Sequence, residues 1–523
     1  MNEKEVPHDG NLSQDQQRAS LDRESITDLE KNAPADGAPD DQNANLSDQT
    51  TEAGNLTTDC ESFEVSWDGD KDPLCPRSMS TLRKWMIVSI ACMGSLCVTC
   101  ASSIYTATYT QMNAEFHCSQ IVATLGLSTF VLGIALGPVL TSPLSEYYGR
   151  RPIYLVSWAM FIIWTIPSAV AQNIETMIIA RFFTGFAGSS FLSVAGGTAG
   201  DVFERHEIQK PMSLVSLAPF IGPAIGPLIG GFINYNTHWR WTYYVMLIWA
   251  AFVMVAIVVF APETFHPIYW NEAYRAPMEL TKKPILETLK LSVLRPFQLL
   301  FLEPMCLCLD LYSAILLGIL YLFFGAFPLI FRTNHGMSLW QTGMTFLGIL
   351  VGFVIATATT PFWARLRLRW LAEQEKETGK AISEPEYRLP PCILGAILIP
   401  IGLFWFAWTT YSSIHWIVPI IGSGVFGCGM MLVFTGIFTF LVDAYPQYAA
   451  SAMAANSFAR CSFAGTFPPR HSHCFGIQMY ETLGYQWASS LLAFLTVAMA
   501  PFPYLFFRYG KKLRAKSKFA SKI

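Results

Sequence analysis

Long apolar stretches recur along most of this chain, and short polar links separate them. A transmembrane helix needs about 20 mostly apolar residues, and twelve segments have that character. They form two sets of six, on either side of a longer polar segment. The predicted spans, numbered 1 to 12, are residues 85–104, 122–141, 153–171, 177–197, 212–233, 241–261, 305–331, 342–362, 391–409, 416–441, 450–468 and 485–507. The pattern predicts an all-α membrane protein with 12 transmembrane helices in two six-helix halves.

The segment before span 1 differs from the rest in composition. Residues 1–75 carry 19 acidic and 5 basic side chains and few large apolar ones. Such a segment buries too little apolar surface to offset the entropy of ordering, so we expect it to be disordered. The predicted organisation is an acidic cytoplasmic tail at 1–75, halves at 76–261 and 305–507, a cytoplasmic linker at 262–304 and a basic tail at 508–523.

Composition and charge indicate a lipid bilayer as the partner and place both termini on one side of it. The chain is 52% hydrophobic and 14% charged, against roughly 25% charged in soluble domains. After the acidic tail, 25 of 30 lysines and arginines fall in segments on the same side of the membrane as the N-terminus. The positive-inside rule makes that side the cytoplasm. No feature of the charge pattern points to nucleic acid.

The link between spans 2 and 3 reads SPLSEYYGRRPIYL and begins at Ser142. We expect Glu146 to form charge-assisted bonds with Arg150 or Arg151, and Gly149 to permit a tight turn. Such a latch would open and close as the helices rock. The alternative is an ordinary positively charged loop with a turn glycine.

Span 4 carries Arg181 inside an apolar helix. A charge there costs several kcal/mol, on the order of 3, unless it is paired, and such residues usually face the protein interior and serve transport. The alternative is an arginine that extends to the outer interface, because Arg181 lies only one turn into the predicted span.

Span 5 carries glycines at a spacing of four residues, at Gly222, Gly226 and Gly230. This ridge would let a neighbouring helix approach closely. Pro223 and Pro227 remove backbone donors and are expected to bend the helix. Close packing alone is the simpler explanation of the same pattern.

These motifs together resemble the signatures of the major facilitator superfamily. The link between spans 2 and 3 is similar to the family's Gly-x-Leu-x-Asp-x-x-Gly-Arg-Lys, with Ser142 in place of the first glycine and Glu146 in place of the aspartate. The matching or nearly matching positions are Leu144, Gly149, Arg150 and Arg151. The resemblance implies the major facilitator fold, with one central cavity between the two halves.

Spans 4 and 5 narrow the resemblance to proton antiporters. Arg181 and Gly185 match the family's Arg-x-x-x-Gly, whose arginine the resemblance implicates in proton coupling. The span 5 pattern resembles the antiporter signature, with Ser213 in place of its upstream glycine; the matching positions are Gly222, Gly226, Pro227, Gly230 and Gly231. WRWTYY, PETFHP and other segments between residues 64 and 520 are similar to fungal twelve-span drug:proton antiporters.

Few charged side chains lie near the expected cavity. Asp310 is the clearest acid, and it would carry protons or, equally, sit at the cytoplasmic interface near the start of span 7. Glu115 is interpreted as a solvated loop residue in preference to an outer gate. Gly325 stands where some family members have an acid, which disfavours cationic substrates. The predicted substrate contacts, suited to bulky apolar molecules, are Tyr105, Tyr109, Tyr312, Tyr321 and Phe324.

The function that the resemblance implies is proton-coupled export of hydrophobic drugs, xenobiotics or a self-made toxin across the plasma membrane, by a monomer. A proton-coupled importer of nutrients or polyamines is the alternative. We predict no cofactor and no metal, because zinc-type spacing is missing and the His471–His473–Cys474 group, which could bind a metal, lacks the second shell of a metal site. Its segment, 469–474, is interpreted as an altered exon junction. An enzyme would need a nucleophile–base or metal set, and a receptor or channel would need seven spans or a ring of pore-lining charge.

Overall fold

The computed structural model describes residues 75–204, 207–265, 285–378, 384–466, 473–517 and 519–520. Within those residues every regular element is a helix. The disorder predicted for residues 1–75 lies outside the described residues except at Cys75, as do four of the six residues of the segment 469–474.

Eleven helices in the described part of the chain are long and apolar enough to cross a membrane. They correspond to predicted spans 1 to 10 and 12, and they keep those numbers below. Their bounds are Thr81–Phe116, Gln120–Tyr148, Arg150–Val170, Ile174–Val202, Lys210–Asn236, Arg240–Phe260, Pro304–His335, Leu339–Lys376, Pro390–Trp408, Ile417–Ala444 and Thr482–Ala515. Most extend beyond the apolar stretch that predicts them, because polar residues continue the helix past the hydrocarbon region.

Span 11 is the helix Ala449–Thr466, which is shorter and more polar than the others. It packs against spans 2 and 7, and Gly465 lies so close to span 2 that a Cβ there would be 3.2 Å from the carbonyl oxygen of Ser128. Neighbouring helices therefore shelter its polar side chains from lipid. With this helix, the predicted all-α fold of twelve spans is confirmed.

The predicted linker contains a helix that the apolar pattern does not indicate. Residues Ile285–Leu302 form this helix, which packs against span 11 and span 2. Only the part from Val293 to Leu302 is strongly apolar, so it falls below the length of a span. The segment between the two halves is therefore partly helical.

The glycine ridge of span 5 lies directly against span 1. A Cβ on Gly222 would be 2.7 Å from the backbone nitrogen of Cys100. One on Gly226 would be 2.8 Å from the nitrogen of Ile104, and one on Gly230 would be 2.9 Å from the Ile104 oxygen. Real Cβ atoms essentially never approach other atoms this closely, so the two backbones meet at a distance that only glycine permits.

Span 5 also contacts the second half of the protein. A Cβ on Gly343, near the start of span 8, would be 3.1 Å from the carbonyl carbon of Pro227. A Cβ on Gly231 would be 3.0 Å from the Leu339 oxygen. The two halves therefore meet through spans 5 and 8 and through spans 2 and 11, and this arrangement places spans 1 and 7 next to each other.

Gly226→Ala should destabilise the protein, although alanine normally favours a helix by up to about 1 kcal/mol over glycine. The added methyl would push against span 1 backbone, and overpacking of this kind costs about 1–3 kcal/mol. The measurement is the midpoint of thermal unfolding of the purified protein. Gly196→Ala is the matched control, because its nearest atom would be Met212 Cε at 3.9 Å. Equal midpoints for the two variants would contradict the contact.

Candidate functional site

Arg181 lies seven residues after the start of span 4 and is only 2% exposed. Its guanidinium donates to three backbone carbonyls: Nη1 to Ala101 at 2.7 Å, Nη2 to Ser102 at 3.3 Å and Nε to Gly126 at 3.4 Å. The side chain points into the bundle, so the alternative of an arginine that extends to the outer interface does not apply.

Aromatic rings complete the surroundings of Arg181. Its guanidinium carbon lies 4.4 Å from the ring centroids of both Tyr105 and Phe130, a cation–π geometry. Gly185, one turn further along span 4, allows this closeness, because a Cβ there would be 2.9 Å from the carbonyl carbon of Phe130. The described residues place no carboxylate within ion-pair distance of Arg181. Its charge is therefore stabilised by carbonyl dipoles and rings and ties spans 1, 2 and 4 together.

Asp310 lies six residues after the start of span 7, about 9 Å along the helix, and is fully buried. Its carboxylate accepts hydrogen bonds from Asn456 Nδ2 at 2.9 Å and from Cys306 Sγ at 3.3 Å. Asn456 belongs to span 11 and also donates to Ser313 Oγ at 2.8 Å. The side chain is therefore shielded from water, while the choice between proton carriage and a position at the cytoplasmic interface stays a prediction.

Both hydrogen-bond donors to Asp310 are neutral groups. An ionised carboxylate is costly to bury without a cation or several donors, whereas a protonated one is not. The Asn456 Oδ1 atom is buried without a partner. With the amide reversed, its oxygen would accept the proton of a neutral Asp310 at the same 2.9 Å, and the two amide orientations are equivalent in shape. The pair can therefore hold Asp310 with or without its proton.

Tyr321 connects the two halves. Its hydroxyl lies 3.1 Å from Ser102 Oγ of span 1, on the residue whose carbonyl also binds Arg181. Phe324 packs edge-on against Tyr321 at 5.2 Å between ring centroids. Spans 1 and 7 therefore meet through a side-chain bond that continues into the Arg181 cluster.

The other predicted substrate contacts are also buried. The Tyr105 hydroxyl donates to the Ala123 carbonyl at 2.7 Å, and the Tyr109 ring packs edge-on against Tyr105 at 5.1 Å. The hydroxyls of Tyr109 and Tyr312 are buried without a partner among the described residues. In this conformation all of these residues pack against protein. Their role as substrate contacts stays a prediction.

The turn between spans 2 and 3 binds a carboxylate from beyond span 6. Gly149 has φ +97°, and a Cβ there would be 2.8 Å from Glu263 Cδ. The N–H groups of Arg150 and Arg151, the first two residues of span 3, donate to Glu263 Oε1 and Oε2 at 2.9 and 3.1 Å. Free amides and the helix dipole make a helix N-terminus a favourable anion site. Only glycine permits both the backbone angle and the approach.

The Arg150 side chain binds a second carboxylate, from span 4. Its Nε lies 3.1 Å from Asp201 Oδ2, and its Nη1 donates to Ser145 Oγ at 2.7 Å. The guanidinium carbon also lies 5.0 Å from the Phe265 ring. Spans 2, 3 and 4 and the segment after span 6 therefore converge on one arginine.

The bond expected between Glu146 and these arginines is absent among the described residues. Span 2 stays helical through Tyr148, which turns Ser145 towards Arg150 and leaves Glu146 exposed. The acids at this turn are Asp201, which binds the Arg150 side chain, and Glu263, which binds the backbone N–H groups of Arg150 and Arg151. The expected partner Glu146 is therefore wrong, and the role of the turn as a latch stays a prediction.

The second half contains a matching cluster that no motif predicts. Asp443, at the end of span 10, lies 2.7 Å from Arg388 Nε and 3.6 Å from Arg367 Nη2. Span 10 is the counterpart of span 4 in the second half, so Asp443 corresponds in position to Asp201. Nearby, Arg514 and Glu386 form a buried bidentate pair with two bonds of 2.8 Å. An internal comparison of the two halves is the signal that would have found these residues.

Glu115 forms a cluster at the opposite end of the bundle. Arg240 Nη2 lies 2.7 Å from its carboxylate, His238 Nε2 lies at 3.3 Å, and the Trp239 indole donates to it at 2.6 Å. Glu115 is exposed, as the interpretation expects, but it lies in the last turn of span 1 and not in a loop, and it is ion-paired. It joins the end of span 1 to the start of span 6.

Comparison with known proteins agrees with this architecture. The profile of the Major Facilitator Superfamily matches residues 91–468. Efflux pump atB of Aspergillus terreus is 49% identical over 484 residues, covering 90% of this chain and 93% of that protein. The major facilitator superfamily multidrug transporter mdrA of Aspergillus fumigatus is 41% identical, covering 89% and 77%. The probable drug/proton antiporter YHK8 of Saccharomyces cerevisiae is 39% identical, covering 88% and 90%.

Solved structures show the same fold at low identity. The proton:xylose symporter XylE of E. coli superposes with a TM-score of 0.59 at 16% identity, covering 82% of this chain and 97% of that chain. The human organic anion transporter MFSD10 superposes with a TM-score of 0.56 at 15% identity, covering 80% and 99%. From the extent of the profile match and the identity to these relatives, this chain belongs to the major facilitator superfamily.

Proposed function

We propose that this chain exports hydrophobic small molecules, either xenobiotics or a self-made toxin, in exchange for protons. The observation that carries the proposal is its identity of 39–49%, over 88–90% of the chain, to an efflux pump, a multidrug transporter and a probable drug/proton antiporter. An importer is the second candidate, and the likeness to a proton:xylose symporter is at 16% identity and concerns the fold alone.

The proposed location is the plasma membrane, with both termini in the cytoplasm. The asymmetry of lysine and arginine between the two faces supports this orientation. It puts the cluster around Arg150 on the cytoplasmic face and the cluster around Glu115 on the outer face. One chain encloses one central site between its halves, so a monomer suffices for transport.

Asp310 is the proposed proton carrier. Its surroundings let it exist in both charge states, and the charged or titratable groups that face it are Cys306 on its own span, Arg460 on span 11, and Tyr445 and Glu303 nearby. Protonation makes the Asp310 carboxyl neutral, so spans 7 and 11 can change their packing without water to solvate a buried charge. This change in packing would permit the transporter to return to its starting state after it has released the substrate.

Arg181 is proposed to couple this event to the first half. It binds the carbonyl of Ser102, and the Ser102 hydroxyl meets Tyr321 of span 7. A shift of span 7 would therefore alter the contacts of the Ser102 residue that Arg181 holds. Gly185 and the span 5 glycines keep the helices of the first half close enough to move together.

The Gly149–Arg150–Arg151 turn is proposed to act as a cytoplasmic gate element. Its bonds to Asp201 and Glu263 hold spans 3 and 4 and the start of the linker in one arrangement. An inward-facing state would require some of these bonds to change. Because they are charge-assisted and largely shielded, each contributes about 1–3 kcal/mol to the arrangement they hold.

The first test is accumulation of a panel of hydrophobic drugs in cells with and without the protein. Cells that contain it should accumulate less of at least one compound, because export opposes passive entry. Collapse of the proton gradient should abolish the difference. Unchanged accumulation across a broad panel would remove the export proposal.

Asp310→Asn should abolish export driven by a proton gradient while substrate exchange between two equal pools continues. The amide has the shape of a protonated carboxyl but binds no proton, so coupling is lost and the conformational change is kept. Both activities are measured in proteoliposomes. Glu175→Gln, at an exposed acid near the start of span 4, is the control and should keep both. Gradient-driven export by the Asp310→Asn protein would show that another group carries the proton.

Asp201→Asn and Glu146→Gln should separate the observed partner of Arg150 from the one expected from the motif. The first removes the charge partner of Arg150 and should shift the balance of gate states by about 1–2 kcal/mol, a factor of about 5–30. The second removes an exposed charge and should change little. The readout is the rate at which a thiol reagent labels a cysteine in the cytoplasmic cavity, measured at matched protein levels. A larger effect of Glu146→Gln would contradict the assignment.

A further inference from the structure

Arg460 is a second arginine inside the bundle, and the roles proposed above do not use it as a binding group. It is the twelfth residue of span 11, about 16 Å along the helix from Ala449 at 1.5 Å per residue. A bilayer core is about 30 Å thick, so Arg460 lies near its middle. This position is where the substrate site of a two-half transporter is found.

Three phenylalanine rings surround the Arg460 guanidinium. Its carbon lies 5.9 Å from the ring centroid of Phe220 in span 5, and 5.4 and 5.2 Å from those of Phe434 and Phe438 in span 10. Phe220 and Phe434 are themselves in contact, at 4.8 Å between centroids. Both halves of the protein therefore contribute rings to one aromatic enclosure, named here the Arg460 cage.

Most of the hydrogen-bonding capacity of Arg460 is unused, and the side-chain hydrogen bond it does form is with the Cys461 thiol. A guanidinium has five N–H donors, yet among the described residues Arg460 donates to no oxygen and pairs with no carboxylate, and its Nε is buried without a partner. Arg181, in contrast, uses three carbonyls. Rings provide cation–π attraction but do not replace hydrogen bonds. Arg460 as a whole is only partly buried.

The charges near the middle of the bundle are not balanced. Among the described residues, Arg181 and Arg460 are the arginines there and Asp310 is the acid; it faces Arg460 beyond ion-pair distance and accepts hydrogen bonds from Asn456 and Cys306. An excess of positive charge in low dielectric attracts an anion strongly and disfavours a cation.

We propose that Arg460 anchors the substrate and that the substrate class is hydrophobic organic acids that carry a carboxylate. A carboxylate accepts two parallel bonds from a guanidinium fork. The rings of the Arg460 cage would then contact the apolar, preferably planar, body of the same molecule. This inference rests on the proposed function for its transport context, but the binding it states needs no proton gradient.

The test compares three probes of one shape, 2-naphthoate, 2-naphthylmethanol and 2-naphthylmethylammonium, by equilibrium dialysis against the purified full-length protein. The wild type should bind naphthoate at least about tenfold more tightly than either of the others. Arg460→Gln should abolish that preference, so that the protein binds the three probes about equally. Arg460→Lys should keep part of the preference. Arg332→Gln, at an exposed arginine, is the control and should match the wild type.

A second variant keeps the proposal testable if Arg460→Gln fails to fold. Phe438→Leu removes one ring and keeps the charge, so it should weaken naphthoate and naphthylmethanol binding alike while the preference for naphthoate persists. Equal binding of all three probes by the wild type, or an intact preference in a folded Arg460→Gln protein, would overturn the inference. Selective naphthoate binding without gradient-dependent export would instead count against the proposed function alone.

Discussion

Residues 99–104 of span 1 carry three contacts on which the rest of the structure depends. Their backbone meets the glycine ridge of span 5, the carbonyls of Ala101 and Ser102 bind Arg181, and the Ser102 hydroxyl meets Tyr321 of the other half. The bilayer core offers no water to replace a broken hydrogen bond. A movement of this segment therefore changes helix packing, charge stabilisation and the contact between halves together.

The two arginines inside the bundle are stabilised in different ways, and the difference matters for function. Each nitrogen of the Arg181 guanidinium binds a backbone carbonyl, which suits a group that holds helices in place. Arg460 has rings from both halves and no oxygen partner among the described residues. A group whose bonding is left incomplete by the protein is suited to bind a ligand. The first half thus provides the fixed cation and the second half the available one.

The sequence predicts the spans, the glycine contact and the burial of Arg181, because each follows from composition or spacing within a single helix. It does not predict the partners of Arg150. Glu146 is near in sequence, but the helix continues to Tyr148 and turns it outward, whereas Asp201 and Glu263 arrive from other spans. Asp310 and Arg460 can be identified as unusual residues. Their neighbours Asn456 and Phe220 depend on how spans 7, 11 and 5 pack, which no local pattern gives.

The depth of Arg460 has an electrical consequence. Moving one charge across the whole membrane changes its energy by about 2.3 kcal/mol per 100 mV. A shift of about 3 Å along the normal crosses about a tenth of a 30 Å core, which corresponds to about 0.2 kcal/mol per 100 mV. Any rocking of span 11 that carries Arg460 towards one face would therefore make the rate of that step depend on the resting potential of the cell, even if the completed cycle moved no net charge.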